Sequence, residues 1–151
     1  SNGKTQFPSL RPRLRAQAAA AIRPRGAAVH EALFWIYLAN AVLLINHEIE
    51  SAYWKEWELF RLSGGITVFL LLHFPMLFLM LYGLVLVERR SPAGLVISLL
   101  LSAGGLLAFL IHMHFLKKGR DEFRLPISLV ILYATMAVSV VQASLTIRLL
   151  L

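Results

Sequence analysis

Four stretches of this chain are apolar over lengths that few water-soluble folds require. They are Leu33 to Ile45, Ile66 to Val87, Leu95 to Leu116 and Pro126 to about Ile147. Crossing a bilayer takes about 20 such residues in helical form. Lipid offers no partner for backbone N–H and C=O groups, so each run must satisfy its own and fold as a helix. The connections between runs are short, which makes sequential helices antiparallel neighbours. The expected fold is therefore all-α, an integral membrane four-helix up-down bundle with short loops. Spans are expected at about 31–50, 66–87, 95–116 and 126–147, in one transmembrane domain over 31–151 that follows a basic tail over 1–30.

Composition agrees with that reading. Of 151 residues, 58% are hydrophobic and 15% charged, against roughly a quarter charged in a soluble domain. A soluble enzyme is excluded on that ground. The net charge of +7 does not indicate nucleic acid, because the basic residues flank apolar runs, where Lys and Arg set topology and meet anionic head groups. The partner implied is the lipid bilayer, with a second copy or another membrane protein open. Cysteine is absent, which removes disulfides, thiolate metal sites and thiol nucleophiles.

The tail holds Lys4, Arg11, Arg13, Arg15, Arg23 and Arg25 without an acid, and Pro8, Pro12 and Pro24 interrupt any long helix. It reads as a solvated basic arm. With that arm inside, Arg89, Arg90 and Arg148 join it, and the inner basic residues outnumber Lys55, Arg61, Lys117, Lys118, Arg120 and Arg124 outside. The positive-inside rule then gives a cytoplasmic amino terminus in a multi-pass protein, by expectation of a bacterial inner membrane. Without the arm the same count reverses.

The first run is too short to span alone. To reach length it must take in His30 and Glu31 or His47, Glu48 and Glu50. It is followed by Tyr53, Trp54, Trp57 and Phe60 among charges, a composition suited to the membrane interface. In the third helix Ser98, Ser102, Gly104 and Ala108 fall at steps that let helices approach closely. In the fourth, Ser128, Thr135, Ser139, Gln142 and Thr146 form one weakly polar stripe that should face the bundle.

The up-down topology gathers ionisable groups at one end. His47, Glu48 and Glu50 close the first helix there, and Asp121 and Glu122 precede the fourth. His73 lies about 10 Å deep and His112 about 6 Å deep from the same side, at about 1.5 Å per residue. Tyr37, Asn40, His47 and Glu50 share a helix face, and His112 shares one with Ala108 and Gly105. His114 points elsewhere and reads, like His30, as an interfacial residue.

Ionisable groups at membrane depth are costly and default to function. His47 and Glu50, three residues apart, can reach one ion, a device of carboxylate metal sites in bundles. Imidazole and carboxylate suit Zn, Fe or Mn. The candidate ligands of a divalent transition metal are His47, Glu50, His73 and His112, with Glu48 and Glu122 as outer partners or proton carriers. Three other readings fit the same residues. The groups could pair only with one another and with loop arginines. His73 and His112 could hold a bis-histidine haem for electron transfer, although the acids are then surplus. The chain could be a non-catalytic membrane scaffold or subunit that uses Trp54, Trp57 and the basic arm. No catalytic residue stands out, and enzyme and non-enzyme both remain open.

The ordered motifs resemble an uncharacterised family of small bacterial four-helix integral membrane proteins. They are His47-Glu48-Ile49-Glu50 followed by Glu56-Trp57, then Leu72-His73-Phe74-Pro75, His112 with His114, and Glu122-Phe123. The resemblance covers about residues 31–147 and implies no activity. Glu50 stands where the pattern leads one to expect Asp, which keeps the charge on a longer arm.

Overall fold

The structure, a computed structural model, describes residues 25–119 and 124–151. It consists of α1 (Arg25–Tyr53), the single turn α2 (Glu56–Leu59), α3 (Gly65–Glu88), α4 (Pro92–Lys117) and α5 (Pro126–Leu150). All but α2 are long and apolar enough to cross a membrane, and the protein is a four-helix membrane bundle. Asp121, Glu122 and most of the basic arm lie outside the described residues.

Helix boundaries follow local chemistry. Pro92 and Pro126 each begin a helix, where the missing N–H is not needed and the fixed φ is already helical. α1 starts before the expected span and ends after it. Its 29 residues at about 1.5 Å each exceed a hydrocarbon core of about 30 Å. Both ends of α1 therefore reach the interfaces, and His30 and His47 both fall within one helix.

The helices form a ring in which α1 touches α3, α3 touches α4, α4 touches α5 and α5 returns to α1, with a thin diagonal contact between α1 and α4. Leu33, Tyr37, Ala41, Leu44, Met80, Val87 and Leu95 make an apolar cluster among α1, α3 and α4. Elsewhere the interior is more polar. Buried residues on α5 are Ser128, Leu132, Thr135, Ser139, Gln142 and Thr146, so the weakly polar stripe does face inward. Leucine gains nothing by leaving lipid for a helix interface, whereas small and hydrogen-bonding side chains do. Large apolar residues such as Leu71, Phe74 and Phe78 accordingly face out.

The space between α1, α4 and α5 is closed by a directed network. The Gln142 amide donates to the Ser98 carbonyl and hydroxyl, each at 3.0 Å. Thr146 donates to the Gln142 carbonyl at 2.8 Å, so the Ser98 hydroxyl is the donor in its 2.8 Å contact with Thr146. The Asn40 amide donates to Gln142 Oε1 at 2.8 Å and lies 3.1 Å from Ser139 Oγ. Ser102 donates to the Ser98 carbonyl at 2.7 Å, and the Tyr37 hydroxyl to the Met80 carbonyl at 2.8 Å. Gly105 lets α4 lie close against α5: a Cβ there would collide with Ser139. Gly104 is on the outward side with open space around it, so its neighbour performs the role that spacing had suggested for it.

Candidate metal centre

The other buried polar region lies where α1 ends. After Tyr53 the chain turns at Lys55, which takes left-handed backbone angles (φ 54°, ψ 46°). That turn folds α2 back against the bundle, and Glu56 and Trp57 become buried. The Leu62 N–H closes the segment onto the Trp57 carbonyl at 2.9 Å. Gly64, at φ 105°, redirects the chain into α3, a conformation that glycine tolerates without strain. Trp57 packs on Phe69 of α3, with ring centroids 5.3 Å apart. It is thus part of the protein's own packing rather than an exposed interfacial anchor.

Glu56 meets two histidines there. His112 Nδ1 is 3.0 Å from the Ala108 carbonyl one turn earlier. A carbonyl oxygen only accepts, so Nδ1 carries the hydrogen and Nε2 is turned to Glu56 Oε1 at 3.1 Å. The His47 ring stands edge-on to that of His112, with centroids 4.6 Å apart at 75°. One ligand atom from each of His47, Glu56 and His112 lies within 4.8 Å of the others, and all three residues are buried. Burial works against charge on Glu56. Hydrogen bonding and charge from His112, a hydrogen bond from Ser51 and the charge of His47 outweigh it, and the carboxyl ionises below its ordinary range.

These residues fit a metal. Tetrahedral ligands at 2.0–2.1 Å from an ion sit about 3.4 Å apart. The 3.1 Å between His112 and Glu56 is already near that value, and His47, whose ligand atom lies within 4.8 Å of the others, would have to close by at most about 1.4 Å. A backbone carbonyl holding the far nitrogen of His112 is the usual means of fixing a ligating histidine's tautomer and ring orientation.

The remaining sequence candidates occupy distinct places. His73 Nδ1 donates to the Phe69 carbonyl at 2.6 Å, its Nε2 lies 2.6 Å from Glu48 Oε2, and its ring stacks on Phe69. Both members of the His73–Glu48 pair are part-exposed. They line the same cavity of about 190 Å³ as His47, Glu56 and His112. Glu50 accepts a hydrogen bond from Ser128 on α5 and is not one of the three converging groups. Glu122 is outside the described residues, and His114 is exposed. Structure therefore brings together His47 and His112 of the four expected ligands, sets His73 on the wall of their cavity, and supplies Glu56 as the carboxylate. Sequence spacing missed Glu56 because the reversal at Lys55 is not announced by a glycine; its one signal was the Glu56-Trp57 pair among the resembling motifs.

A larger hollow, about 420 Å³, lies at the opposite end among Ala27, His30, Glu31, Phe34, Val87, Glu88 and Arg90. Size does not mark the site, because the convergence of His and Glu ligand atoms found among the described residues is at the His47 end.

Residues 33–149 match the sequence profile of a family of unknown function, DUF6713. The chain belongs to the DUF6713 family. No curated protein and no solved structure gives a match. The DUF6713 match takes in His47, Glu56, His73 and His112 together with all but the first residues of α1. Both polar regions of the bundle thus fall inside the family's domain.

Proposed function

We propose that the protein is a membrane metalloprotein that binds a divalent transition metal through His47, Glu56 and His112 near one face of the bilayer. The observation that carries this reading is the convergence of three buried ligand atoms within 4.8 Å on a cavity that reaches the surface. Two imidazoles with one carboxylate suit Zn, Fe or Mn. Structural zinc sites close with four protein ligands, whereas working sites keep a position open. Three protein ligands beside a cavity support the second kind.

Glu48 and His73 line that cavity as a hydrogen-bonded pair able to exchange a proton, and form the natural acceptor for a proton released there. Glu50, tied to Ser128, acts as an outer partner near His47. Haem is disfavoured because a carboxylate caps Nε2 of both His73 and His112. The basic arm supports a cytoplasmic amino terminus.

The test is elemental analysis of protein purified after metal-replete expression. We expect about one transition-metal ion per chain, lost in His112→Ala and in Glu56→Gln. Metal-free wild-type protein, or a Soret absorption band, would overturn the assignment.

A further inference from the structure

Glu56 differs from the two histidines in what holds it. His47 and His112 stand on α1 and α4, which are long and apolar enough to span the membrane. Glu56 stands on the strap of residues 54–64 that joins α1 to α3. Two of the three non-glycine residues with left-handed backbone among the described residues bracket α2 within this strap: Lys55 at φ 54° and Arg61 at φ 52°. Such angles cost an L-residue free energy. A helix of one turn adds little of its own, because its few hydrogen bonds do not offset nucleation. Of residues 54–64 only Glu56 and Trp57 are buried. The contacts that hold the strap against the bundle centre on these two and Phe60. Trp57 packs on Phe69, the Phe60 ring lies 6.1 Å from that of Phe115, and Glu56 meets His112 and Ser51. So few buried groups place a segment at the low end of local stability.

Charge gives the strap a reason to lift when no cation is bound. Glu48, Glu50 and Glu56 all act on His47. Glu48 is matched by His73, and Glu50 by Ser128. Glu56 relies on His112 and Ser51, and of the three acids it alone is carried by the strap. Burying a carboxylate near two others costs free energy unless positive charge answers it. A divalent ion held by His47, Glu56 and His112 supplies that charge. It also adds a bond that exists only while the strap is folded back. A ligand that binds one of two states more tightly shifts the balance toward that state.

Building on the metal reading, we propose that the strap is a metal-dependent latch: the ion draws Glu56 onto His47 and His112 and locks residues 54–64 against the bundle, and loss of the ion frees them to open at the membrane interface. The metal state of a buried site is thereby displayed at the surface, by a segment whose Lys55, Glu58 and Arg61 are exposed.

The test is hydrogen exchange of the full-length protein in detergent, read by mass spectrometry with and without Zn²⁺. The reporters are the N–H groups of Glu58, Phe60, Arg61 and Leu62, all bonded within the strap. At free Zn²⁺ about 100 times its dissociation constant they should exchange up to about 100-fold more slowly than in metal-free protein. The turn at Arg89, Arg90 and Ser91 is the reference. It also contains a left-handed residue, Arg90 at φ 55°, but lies at the opposite end of the bundle and should not respond. Glu56→Gln should abolish the slowing. Lys55→Ile forces a β-branched residue into left-handed angles and should weaken Zn²⁺ binding about tenfold, although Lys55 is not a ligand. Lys55→Gly, which adopts those angles freely, should stay within about threefold of wild type. Strap exchange unchanged by stoichiometrically bound Zn²⁺, or wild-type affinity in Lys55→Ile, would overturn the latch and leave the metal site standing. Slowing retained in Glu56→Gln would overturn the latch together with the place of Glu56 among the ligands. Protein that takes up no Zn²⁺ would overturn the metal reading, and this proposal with it.

Discussion

The bundle buries polar side chains in two places, and they differ in kind. Between α1, α4 and α5, Asn40, Ser98, Ser102, Ser139, Gln142 and Thr146 are amides and hydroxyls whose donors and acceptors are spent on one another and on backbone carbonyls. Their exposure is at most 1%. At the end of α1, His47, Glu56 and His112 are ionisable, arrive from three separate elements and border a cavity. The first arrangement is complete and holds helices together. The second brings more ligand capacity to one point than its internal hydrogen bonds use. In a membrane protein, burial of polar groups therefore does not by itself mark function. A finished network reads as packing, and convergence of titratable groups on a space reads as a site.

The sharpest way to break this comparison is to remove a ligand. Loss of an outer hydrogen-bond partner alone lowers metal affinity by about 10–100-fold, so His112→Ala or His47→Ala should lower it by more, read as loss of stoichiometric metal. Gln142→Leu should leave metal content unchanged. The carboxylates can be separated in the same assay. Glu56→Gln should behave like His112→Ala, and Glu50→Gln should retain the ion, since Glu50 is engaged by Ser128. Metal retained in Glu56→Gln and lost in Glu50→Gln would restore the ligand pair suggested by sequence spacing.

Stability gives the reciprocal test. At free metal about 100 times its dissociation constant, binding should stabilise the fold by about 2.7 kcal/mol. Thermal unfolding in detergent should show this increment in wild type and in Gln142→Leu, and not in His112→Ala. Without metal, Gln142→Leu removes one partner from Asn40 and one from Ser98, which keep Ser139 and Thr146 respectively, and should lower stability by about 1–3 kcal/mol. Interhelical hydrogen bonds in membranes average nearer 0.6 kcal/mol, so the lower part of that range is expected. The smallest effect belongs to Thr135, whose buried hydroxyl has no partner. Thr135→Val should be neutral or stabilising by up to about 1 kcal/mol, in contrast to substitutions at its bonded neighbours.

Much of the fold was legible in the sequence because lipid imposes strong local rules. Apolar runs of spanning length must be helices, short connections must make them antiparallel, and Pro92 and Pro126 fix where two of them begin. Helical periodicity also placed Ser139, Gln142 and Thr146 on the inward face of α5, and Tyr37, Asn40 and His47 on that of α1, because 3.6 residues per turn leaves few alternatives. Periodicity could likewise direct His112 inward and His114 outward.

What sequence could not give was the meeting of side chains across elements. Choosing Glu50 as the carboxylate followed from its spacing on the same helix as His47, a local criterion. Glu56 reaches the histidines only because Lys55 adopts a left-handed turn and Trp57 finds Phe69, and both depend on the packed bundle. Periodicity sets which way a side chain leaves its own helix; which side chains from different helices share a point is set by rotation, depth and chain reversal, none of which is a local property. The sequence alone determined that this is a membrane bundle with histidines and acids gathered at one end. Only the tertiary structure decided that His47, Glu56 and His112 converge there, with His73 and Glu48 on the wall of their cavity.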